Sequence, residues 1–570
     1  MKTGLQQQSS FLFGLCSPSI WFAPGDPPPN RVGLSECDNF YVKSDGSLQR
    51  RPGTNYVART KNDAKARLIP FIYNRDQVFV VELGHLYARF YALSGQLGSG
   101  GTPQEIATGY TGAHLDDLSF AYSRDALIIV HELFTPRAIT RNASGIFAIA
   151  DLAFTSKPSD WAGSSNPRRV AFVAGRLVMA STPNKPTSVW LSKSGDHLNF
   201  TKGTAADDAM EITLQGKEAN DITAIVEEHG TLVIASAGQI KRLRGTGTDG
   251  IIKPDNFELR GEVTPGANAV QPIVINGAIV HGSSDGRGLR EMAYQFDRDR
   301  DSSIDLNVRF RLSQKIKNIA IMHEPSSIIW LHDDKGGLYA LSYRRQEGLI
   351  AWSKHVLGGE GVVESLCVTP GLNGDRLWLA VKRVIGSTVF RTIETMELSS
   401  AHFSDCALSY DGASTSTLSG LAHMEGAQVG GVLDGVNINT PLTVSSGTVT
   451  LPKATLKATI GYKFVAMAGM LPPVDIQTPR ARPARVVNTR LSIDAPDTLS
   501  LEASGDGTNW YGLSCERFGT GTYDQSSEPS LQDLCLTGNL YKIPGQTLKI
   551  RANHALNASI RVATREYGLI

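Results

Sequence analysis

Apolar and polar residues alternate in short runs along most of the chain, and the runs come in pairs separated by tight turns. About seven copies of this unit follow one another between residues 67 and 396, at a spacing of roughly 47 to 53 residues. This period suits four short strands with their turns, which is the size of one β-propeller blade. The pattern therefore predicts an all-β chain with a propeller of six or seven blades. The copies begin near Arg67, Asp117, Arg168, Asp221, Val270, Lys317 and Glu364.

The alternation has the period of strands and not of helices. Val78, Val80 and Leu83 belong to one such run, in which β-branched and aromatic residues are bounded by turn residues. Several units have residues that tolerate a positive φ between their first and second apolar runs. Asn276-Gly277 and Ala174-Gly175 are two examples. These positions predict tight hairpin turns.

The chain divides into three predicted parts. Residues 1–60 form an irregular arm, because Pro24 and Pro27 to Pro29 cannot sustain a helix or a central strand. Residues 61–400 form the propeller. Residues 401–570 form a second β domain, a sandwich or barrel, with strand-like runs at 442–451 and 484–493.

Composition limits the possible functions. The chain has 570 residues, of which 41% are hydrophobic, with 56 Gly and 27 Pro, as expected for a large β protein with many turns. Its formal charge of +1 excludes the strongly basic field that holds proteins tightly on DNA. No apolar run reaches the length of a membrane-spanning helix, and no signal peptide is predicted. The six cysteines lack metal-site spacing and are expected to be mostly reduced thiols.

One candidate site is the alternation of charges at Asp297, Arg298, Asp299 and Arg300, continued by Asp301. Three alternating aspartates resemble the start of a calcium loop, but Ser302 stands where that loop needs glycine. A solvated face or an intersubunit edge with complementary charges is the favoured interpretation.

The second candidate is a dense positive stretch formed by Arg480, Arg482, Arg485 and Arg490. A solvated loop that enters a strand explains it most simply. The functional alternative places these arginines against DNA in a bore or against acidic residues of a neighbouring subunit. No catalytic, cofactor-binding or metal-ligating residue is predicted.

Ten phrases stand in a fixed order along the chain: Ser17-Pro18, Cys37 to Phe40, Gly46 to Thr54, Arg67 to Phe71, Trp190 to Ser192 with Asn199-Phe200, Thr264-Pro265, Leu338 to Tyr343, Ala351-Trp352, Gly420 to Gly426 and Val432 to Gly435. Taken in this order, they resemble the tail nozzle proteins of short-tailed bacteriophages, also called tail tubular protein B. The resemblance covers nearly the whole chain, although the Pro-rich stretch at 26–30 departs from the family pattern.

The resemblance implies a structural protein of the virion tail that is made in the host cytoplasm and is not an enzyme. Such a protein forms a homohexameric nozzle below the head-to-tail adaptor and carries tail fibres or spikes. Double-stranded DNA passes transiently through its bore during ejection. The implied partners are therefore further copies of the chain, the adaptor, the fibres or spikes and DNA in transit.

Two other function classes stay open. Propellers also carry sialidase-like glycan-hydrolysing or glycan-binding proteins, and residues 192–200 and 504–510 loosely resemble the Asp-box turns of that class. Hydrolysis there needs paired carboxylates, or a tyrosine nucleophile with an acid and an arginine cluster, which one sequence cannot show to converge. A monomeric propeller adaptor that binds other proteins is the third class.

Overall fold

The computed structural model describes residues 2–21, 23, 29–74, 77–123, 125–214, 220–295, 300–438, 440–472, 474–475, 482–483, 486–494, 501–515, 533–538 and 548–569. The regular structure of these residues is almost entirely strand. Helix α1 spans only Pro29–Val32. Six strands precede the propeller repeats: β1 (Lys2–Gln8), β2 (Gly14–Leu15), β3 (Gly33–Asp38), β4 (Phe40–Val42), β5 (Leu48–Arg50) and β6 (Asn55–Arg59).

The predicted repeats are seven consecutive blades. Blade 1 contains β7 (Arg67–Ile72), β8 (Val78–Gly84), β9 (Tyr87–Ala92), β10 (Gly95–Gln96), β11 (Gly98–Ser99), β12 (Thr102–Pro103) and β13 (Glu105–Ala107). Blade 2 contains β14 (Ser119–Tyr122), β15 (Ala126–His131), β16 (Phe134–Arg141) and β17 (Phe147–Asp151). Blade 3 contains β18 (Arg169–Val173), β19 (Arg176–Ala180), β20 (Ser188–Leu191) and β21 (Met210–Thr213), and blade 4 contains β22 (Ile222–Glu228), β23 (Thr231–Ser236), β24 (Ile240–Gly245) and β25 (Phe257–Val263). Blade 5 contains β26 (Ile273–Ile275), β27 (Ala278–Gly282), β28 (Leu289–Gln295) and β29 (Arg300–Asp305). Blade 6 contains β30 (Ile316–Met322), β31 (Ile328–Asp333), β32 (Leu338–Arg344) and β33 (Leu349–His355). Blade 7 contains β34 (Val362–Gly371), β35 (Gly374–Ile385) and β36 (Thr388–Glu397).

Each blade is an antiparallel sheet whose strands pair in chain order, except that in blade 1 strand β13 pairs with β9 while β11 and β12 form a separate hairpin. Because side chains alternate between the two faces of a strand, both faces of a blade can pack on neighbours. Between blades 1 and 2 the buried apolar residues include Phe90 and Ile129. Between blades 7 and 1 they include Trp378 and Leu68. The five other interfaces hold clusters of the same kind, so the seven blades form a closed ring. The structure is a seven-bladed β-propeller, within the predicted range.

Strand β6 completes the seventh blade. It lies beside β36 in antiparallel register, with Ala58 opposite Ile393 and Asn55 opposite Thr395. Residues before the first repeat thus supply the outermost strand of the last blade, and this pairing joins the two ends of the ring.

The predicted hairpin turns between the first and second strands of a blade are confirmed in blades 3 and 5. Asn276 and Gly277 have φ values of 48° and 74°, and Ala174 and Gly175 have 46° and 73°. Two consecutive positive φ values define the turn whose twist matches that of the flanking strands.

The chain after the propeller forms fifteen strands in the described residues. They are β37 (Asp405–Ser419), β38 (Gln428–Leu433), β39 (Val436–Asn437), β40 (Leu442–Thr443), β41 (Thr448–Tyr462), β42 (Ala466–Met470), β43 (Val474–Asp475), β44 (Arg482–Pro483), β45 (Val486–Asp494), β46 (Leu501–Ser504), β47 (Tyr511–Cys515), β48 (Asp533–Gly538), β49 (Leu548–Ala552), β50 (Ser559–Ile560) and β51 (Val562–Leu569).

Apart from β43, β44 and β50, these strands continue two propeller sheets. Strand β37 pairs with β41 and meets β6 at Ala407 and Asn55, which extends blade 7. Strand β42 pairs with β3, and β3 lies parallel to β33 at Asp38 and Lys354, which extends blade 6. The C-terminal body is therefore attached to the propeller through strands of the N-terminal segment.

The N-terminal segment, expected to be an irregular arm, contains six strands in the described residues. Strand β1 pairs with β51 along its whole length, from Lys2 opposite Leu569 to Gln8 opposite Ala563. Of the prolines behind that expectation, Pro24, Pro27 and Pro28 lie outside the described residues. Pro29 is the first residue of α1.

Candidate functional site

The residues predicted as intersubunit or lumen contacts are only partly described. Asp297, Arg298, Asp299, Arg480 and Arg485 lie outside the described residues. The backbones of Arg482 and Arg490 lie in β44 and β45. Arg300 is exposed at the start of β29, opposite Gln295.

The neighbouring Asp301 has a structural role. Its carboxylate oxygens accept hydrogen bonds from Nε and Nη2 of Arg242, each at 2.8 Å. Arg242 also donates to Glu228 at 2.6 Å, so this arginine joins blades 4 and 5. In the described part of the chain no group of His, Cys, Asp or Glu side chains has the geometry of a metal site.

A buried charged cluster lies where the N-terminal segment, blade 7 and the C-terminal body meet. We call it the junction cluster, and it consists of Arg51, Thr54, Arg383, Glu394 and Asp405. Arg51 and Asp405 form a two-point ion pair, with Nη1–Oδ1 and Nη2–Oδ2 both at 2.7 Å and both side chains fully buried.

All five N–H donors of Arg51 have acceptors inside the protein. Besides the two bonds to Asp405, Nε donates to Asn39 Oδ1 at 2.9 Å. Nη1 donates to Pro52 O at 2.9 Å, and Nη2 donates to Val356 O at 3.1 Å. Burial alone would raise the pKa of Asp405, but the charge and hydrogen bonds of Arg51 and the amide of Gly358 hold it below its ordinary value.

The second half of the junction cluster is the pair of Arg383 and Glu394. Arg383 donates to both carboxylate oxygens of Glu394 and, through Nε, to Gly358 O at 2.9 Å. The hydroxyl of Thr54 donates to Glu394, and the same hydroxyl accepts the amide of Cys406 at 2.7 Å. Thr54 therefore links blade 7 to strand β37.

Arg50 extends this contact into the C-terminal body. Its guanidinium donates to the carbonyl oxygens of His554, of Leu556 at 2.9 Å and of Phe464 at 2.7 Å. It also lies 4.6 Å from the centre of the Phe464 ring, within the range of a cation–π contact. Burial lowers the pKa of Arg50 to about 9, and the charge of Arg51 acts in the same direction.

A stacked pair of aromatic rings lies next to the junction cluster. His423 stacks on Tyr56 with ring centres 3.7 Å apart and planes 9° apart. His423 belongs to the phrase from Gly420 to Gly426, and Tyr56 lies in β6. Asp434, in the phrase from Val432 to Gly435, accepts the amide of Lys457 at 2.9 Å.

The axis of the propeller holds a cavity of about 410 Å³. Its lining comes mainly from the innermost strands of blades 1, 2, 5, 6 and 7, together with Arg169 of blade 3. One half is charged and includes Arg67, Arg169 and Lys317. The other half is mainly apolar and includes Ile72 and Ile321.

The arginines of this cavity are held by backbone carbonyls. Nη1 of Arg67 donates to Leu115 O at 2.6 Å and Leu118 O at 2.7 Å. Nε of Arg169 donates to Thr223 O at 2.5 Å. Burial lowers the pKa of Arg67 to about 10; Asp116 opposes this shift and the positive charge of Arg169 adds to it. Burial lowers the pKa of Arg169 as well, with the charge of Arg168 acting in the same direction.

The two turns that resemble Asp boxes are local structures. Asp506 accepts hydrogen bonds from the amides of Thr508 and Asn509, at 2.9 and 2.8 Å, and from the hydroxyl of Ser504 at 3.0 Å. In the other turn, the amide of Asn199 donates to Asp196 O at 3.3 Å. Neither turn lines the axial cavity.

A carboxylate with two tyrosines occurs in blade 1 but lies inside the blade. Tyr87 and Tyr91 both donate to the fully buried Glu82. Burial raises the pKa of Glu82, although the two tyrosine hydroxyls act in the opposite direction. This group does not line the axial cavity, so its geometry does not assemble a hydrolase centre there.

The sequence did not reveal the junction cluster or the axial cavity. By its composition the Arg-Arg-Pro-Gly-Thr phrase at 50–54 could belong to any turn, although two adjacent arginines before Pro-Gly are an unusual choice for a solvated turn. The carboxylates that accept from Arg51 and Thr54, those of Asp405 and Glu394, lie more than 300 positions away in the chain. Inward-facing positions of the innermost strands were the available signal for the cavity.

No protein-family model and no curated protein matches the chain. Among solved structures, the chain is similar to the structure of U3-55K, with 11% identity and a TM-score of 0.38 over 60% of this chain and 99% of that chain. It is also similar to the crystal structure of RRP9 WD40 repeats, with 11% identity and a TM-score of 0.39 over 61% and 99% of the two chains. At these values neither likeness bears on the activity or partners of this chain. No helix among the described residues is long and apolar enough to cross a membrane.

Proposed function

We propose that the chain is a non-enzymatic structural subunit of the tail of a short-tailed bacteriophage. Six copies form a nozzle below the head-to-tail adaptor, provide the conduit and gate for DNA ejection, and carry the tail fibres or spikes. The proposal starts from the resemblance of the ordered phrases to the nozzle family. It places the protein in the virion tail after synthesis in the host cytoplasm.

The junction cluster is the observation that carries this proposal. Two phrases of the resemblance, 46–54 and 420–426, contribute residues at or beside the contact between the propeller and the C-terminal body. A subunit that transmits force between an adaptor and fibres needs its parts fixed to one another. Fully buried, doubly hydrogen-bonded ion pairs supply such fixed geometry, since breaking them is costly.

The size of the axial cavity supports a conduit built from several copies. The major groove of B-DNA is about 12 Å wide and the whole duplex is wider. A cavity of about 410 Å³ has no room for a duplex. A bore for DNA therefore has to lie between subunits, as in a ring of chains around a common axis.

Electron microscopy of the purified protein, and of phage particles that contain it, tests this proposal. We expect a six-fold ring with a bore at least as wide as duplex DNA in the particles. A ring that forms only in particles would mean that the adaptor triggers assembly. A monomer in both samples would contradict the proposal and direct attention to glycan binding and hydrolysis.

A further inference from the structure

The charged half of the axial cavity has an excess of cations over anions. Arg67, Arg169 and Lys317 line it together with Asp116 and Asp117. Asp116 is already bound by Lys65, from the adjoining cavity of about 250 Å³, at 2.7 Å, and it lies 3.9 Å from Nζ of Lys317. Asp117 acts electrostatically on both Arg67 and Arg169, but among the described residues neither arginine forms a direct ion pair with it. The two guanidinium groups therefore offer positive charge to the cavity.

A second, independent feature of the same wall is an unused hydroxyl. Ser119 lines the cavity and is only 6% exposed. Its Oγ has no hydrogen-bond partner in the described part of the structure. Leaving a buried polar group without a partner costs free energy, so such groups usually have one. An acceptor brought by a ligand would satisfy this hydroxyl.

The remaining wall is suited to an apolar body. Ile72, Phe120, Ile319, Ile321 and Val368 line it. The volume of about 410 Å³ lies within the range of about 300 to 1,000 Å³ that is usual for small-molecule sites. Charge at one end and apolar surface at the other define the ligand class.

We propose that the axial cavity binds a small organic anion, with its carboxylate or phosphate group on Arg67, Arg169 and Ser119 and its apolar body along the inner strands. The site lies within one chain, so it is independent of the proposed ring. It is also separate from the junction cluster. A bound anion would stabilise the propeller, because ligands that bind only the folded state do so.

Isothermal titration calorimetry of the full chain with octanoate tests the site, with 1-octanol as the uncharged comparison. We expect one equivalent of octanoate to bind with a Kd below about 1 mM. Octanol should bind at least about tenfold more weakly, because it lacks the charge that pairs with the arginines. Absence of octanoate binding, or equal binding of octanol, would overturn the proposal.

Two cavity variants and one control locate the binding. Arg169→Met should weaken octanoate binding at least about tenfold and Ser119→Ala about fivefold, since each removes a donor to a charged group. The control Arg260→Met changes a partly exposed arginine on the outermost strand of blade 4 and should bind like the wild type. Unchanged binding in both cavity variants would contradict this site.

Ser119→Ala also separates a ligand-binding role from a structural one. The hydroxyl has no partner in the described structure, so its removal should leave the Tm of the ligand-free protein unchanged or slightly higher. The stabilisation of this variant by octanoate should nevertheless be smaller than that of the wild type. A large drop in the ligand-free Tm would show that the hydroxyl serves the fold, and would count against the proposal.

Discussion

Arg51 shows how much a single residue position depends on distant parts of the chain. Its donors reach Asn39, Pro52, Val356 and Asp405, which come from three separate regions of the sequence. By its composition the phrase could belong to any turn, whereas residues 51–54 connect β5 to β6 without one. The role of Arg51 could not be predicted, because nothing in the local pattern specifies an acceptor more than 300 residues away.

Replacing Arg51 tests the contribution of the junction cluster to stability. Arg51→Met should lower the free energy of unfolding by about 3 to 5 kcal/mol, because it leaves the buried carboxylate of Asp405 without its cation. Urea unfolding monitored by tryptophan fluorescence measures this loss. The matched control is Arg311→Met, whose pair with Asp285 is 56% and 44% exposed and should cost less than about 1 kcal/mol. Equal losses in the two variants would contradict the role assigned to Arg51.

Buried histidines give the stability a pH dependence of defined sign. Burial lowers the pKa values of His281 and His332 to about 4 each. The unfolded chain, with histidine pKa values near 6.5, then binds more protons than the folded chain between these limits. The stability that these histidines contribute is complete above pH 6.5 and is lost as the pH falls towards 4.

Urea unfolding between pH 7.5 and pH 4.5 measures this dependence. We expect a continuous decrease in the free energy of unfolding below pH 6.5. The decrease should be shallower in His332→Gln, because unfolding of this variant takes up about one proton fewer. His85, which is exposed on the turn after β8, provides the control variant His85→Gln. A slope that is the same in all three proteins would show that His332 is not responsible.

At the scale of elements, the alternation of apolar and polar residues predicted the blades well. Both faces of every blade are buried against neighbours, so inner strands such as β8 and β15 are nearly continuous apolar runs. The partner of β6 could not be predicted from this pattern. Strand β6 has the same local character as an ordinary hairpin strand, yet its neighbour β36 begins at Thr388.

A charge placed in β6 tests the closure of the ring. Ala58 is 7% exposed in the interface between blades 7 and 1, together with Leu68 and Trp378. Ala58→Asp should lower the free energy of unfolding by more than about 3 kcal/mol, because it buries a carboxylate without a partner. Ala413→Asp, on an exposed part of β37, is the control and should be close to neutral. Urea unfolding and limited proteolysis compare them, and a stable Ala58→Asp protein would argue against closure through β6.

At the scale of the whole molecule, the sequence predicted three successive parts, and the pairing of strands between these parts was not visible in it. Strands β3 and β6 of the N-terminal segment each pair with one propeller strand and one strand of the C-terminal body. Hydrophobic periodicity indicates which side chains are buried, but it does not indicate which strands pair with each other. Long-range pairing of this kind therefore needs the structure.

The proposed nozzle makes a further demand on the whole molecule, because DNA has to pass through it without being held. The formal charge is +1 per chain, so six copies would carry +6, which is small for a ring that encloses a polyanion. Proteins that neutralise six to ten phosphates lose about 10³ to 10⁵ in affinity between 50 and 200 mM salt. A ring that lets DNA slide should contact far fewer phosphates at once.

Fluorescence anisotropy with a labelled duplex measures this property on the assembled ring. At 150 mM salt we expect a Kd no tighter than about 1 μM, within the range of non-specific binding. Between 50 and 200 mM salt the affinity should change by less than about tenfold, which corresponds to roughly two neutralised phosphates. Nanomolar binding with a steep salt dependence would instead identify a ring that grips DNA, and a conduit through which the genome slides would then need a different explanation.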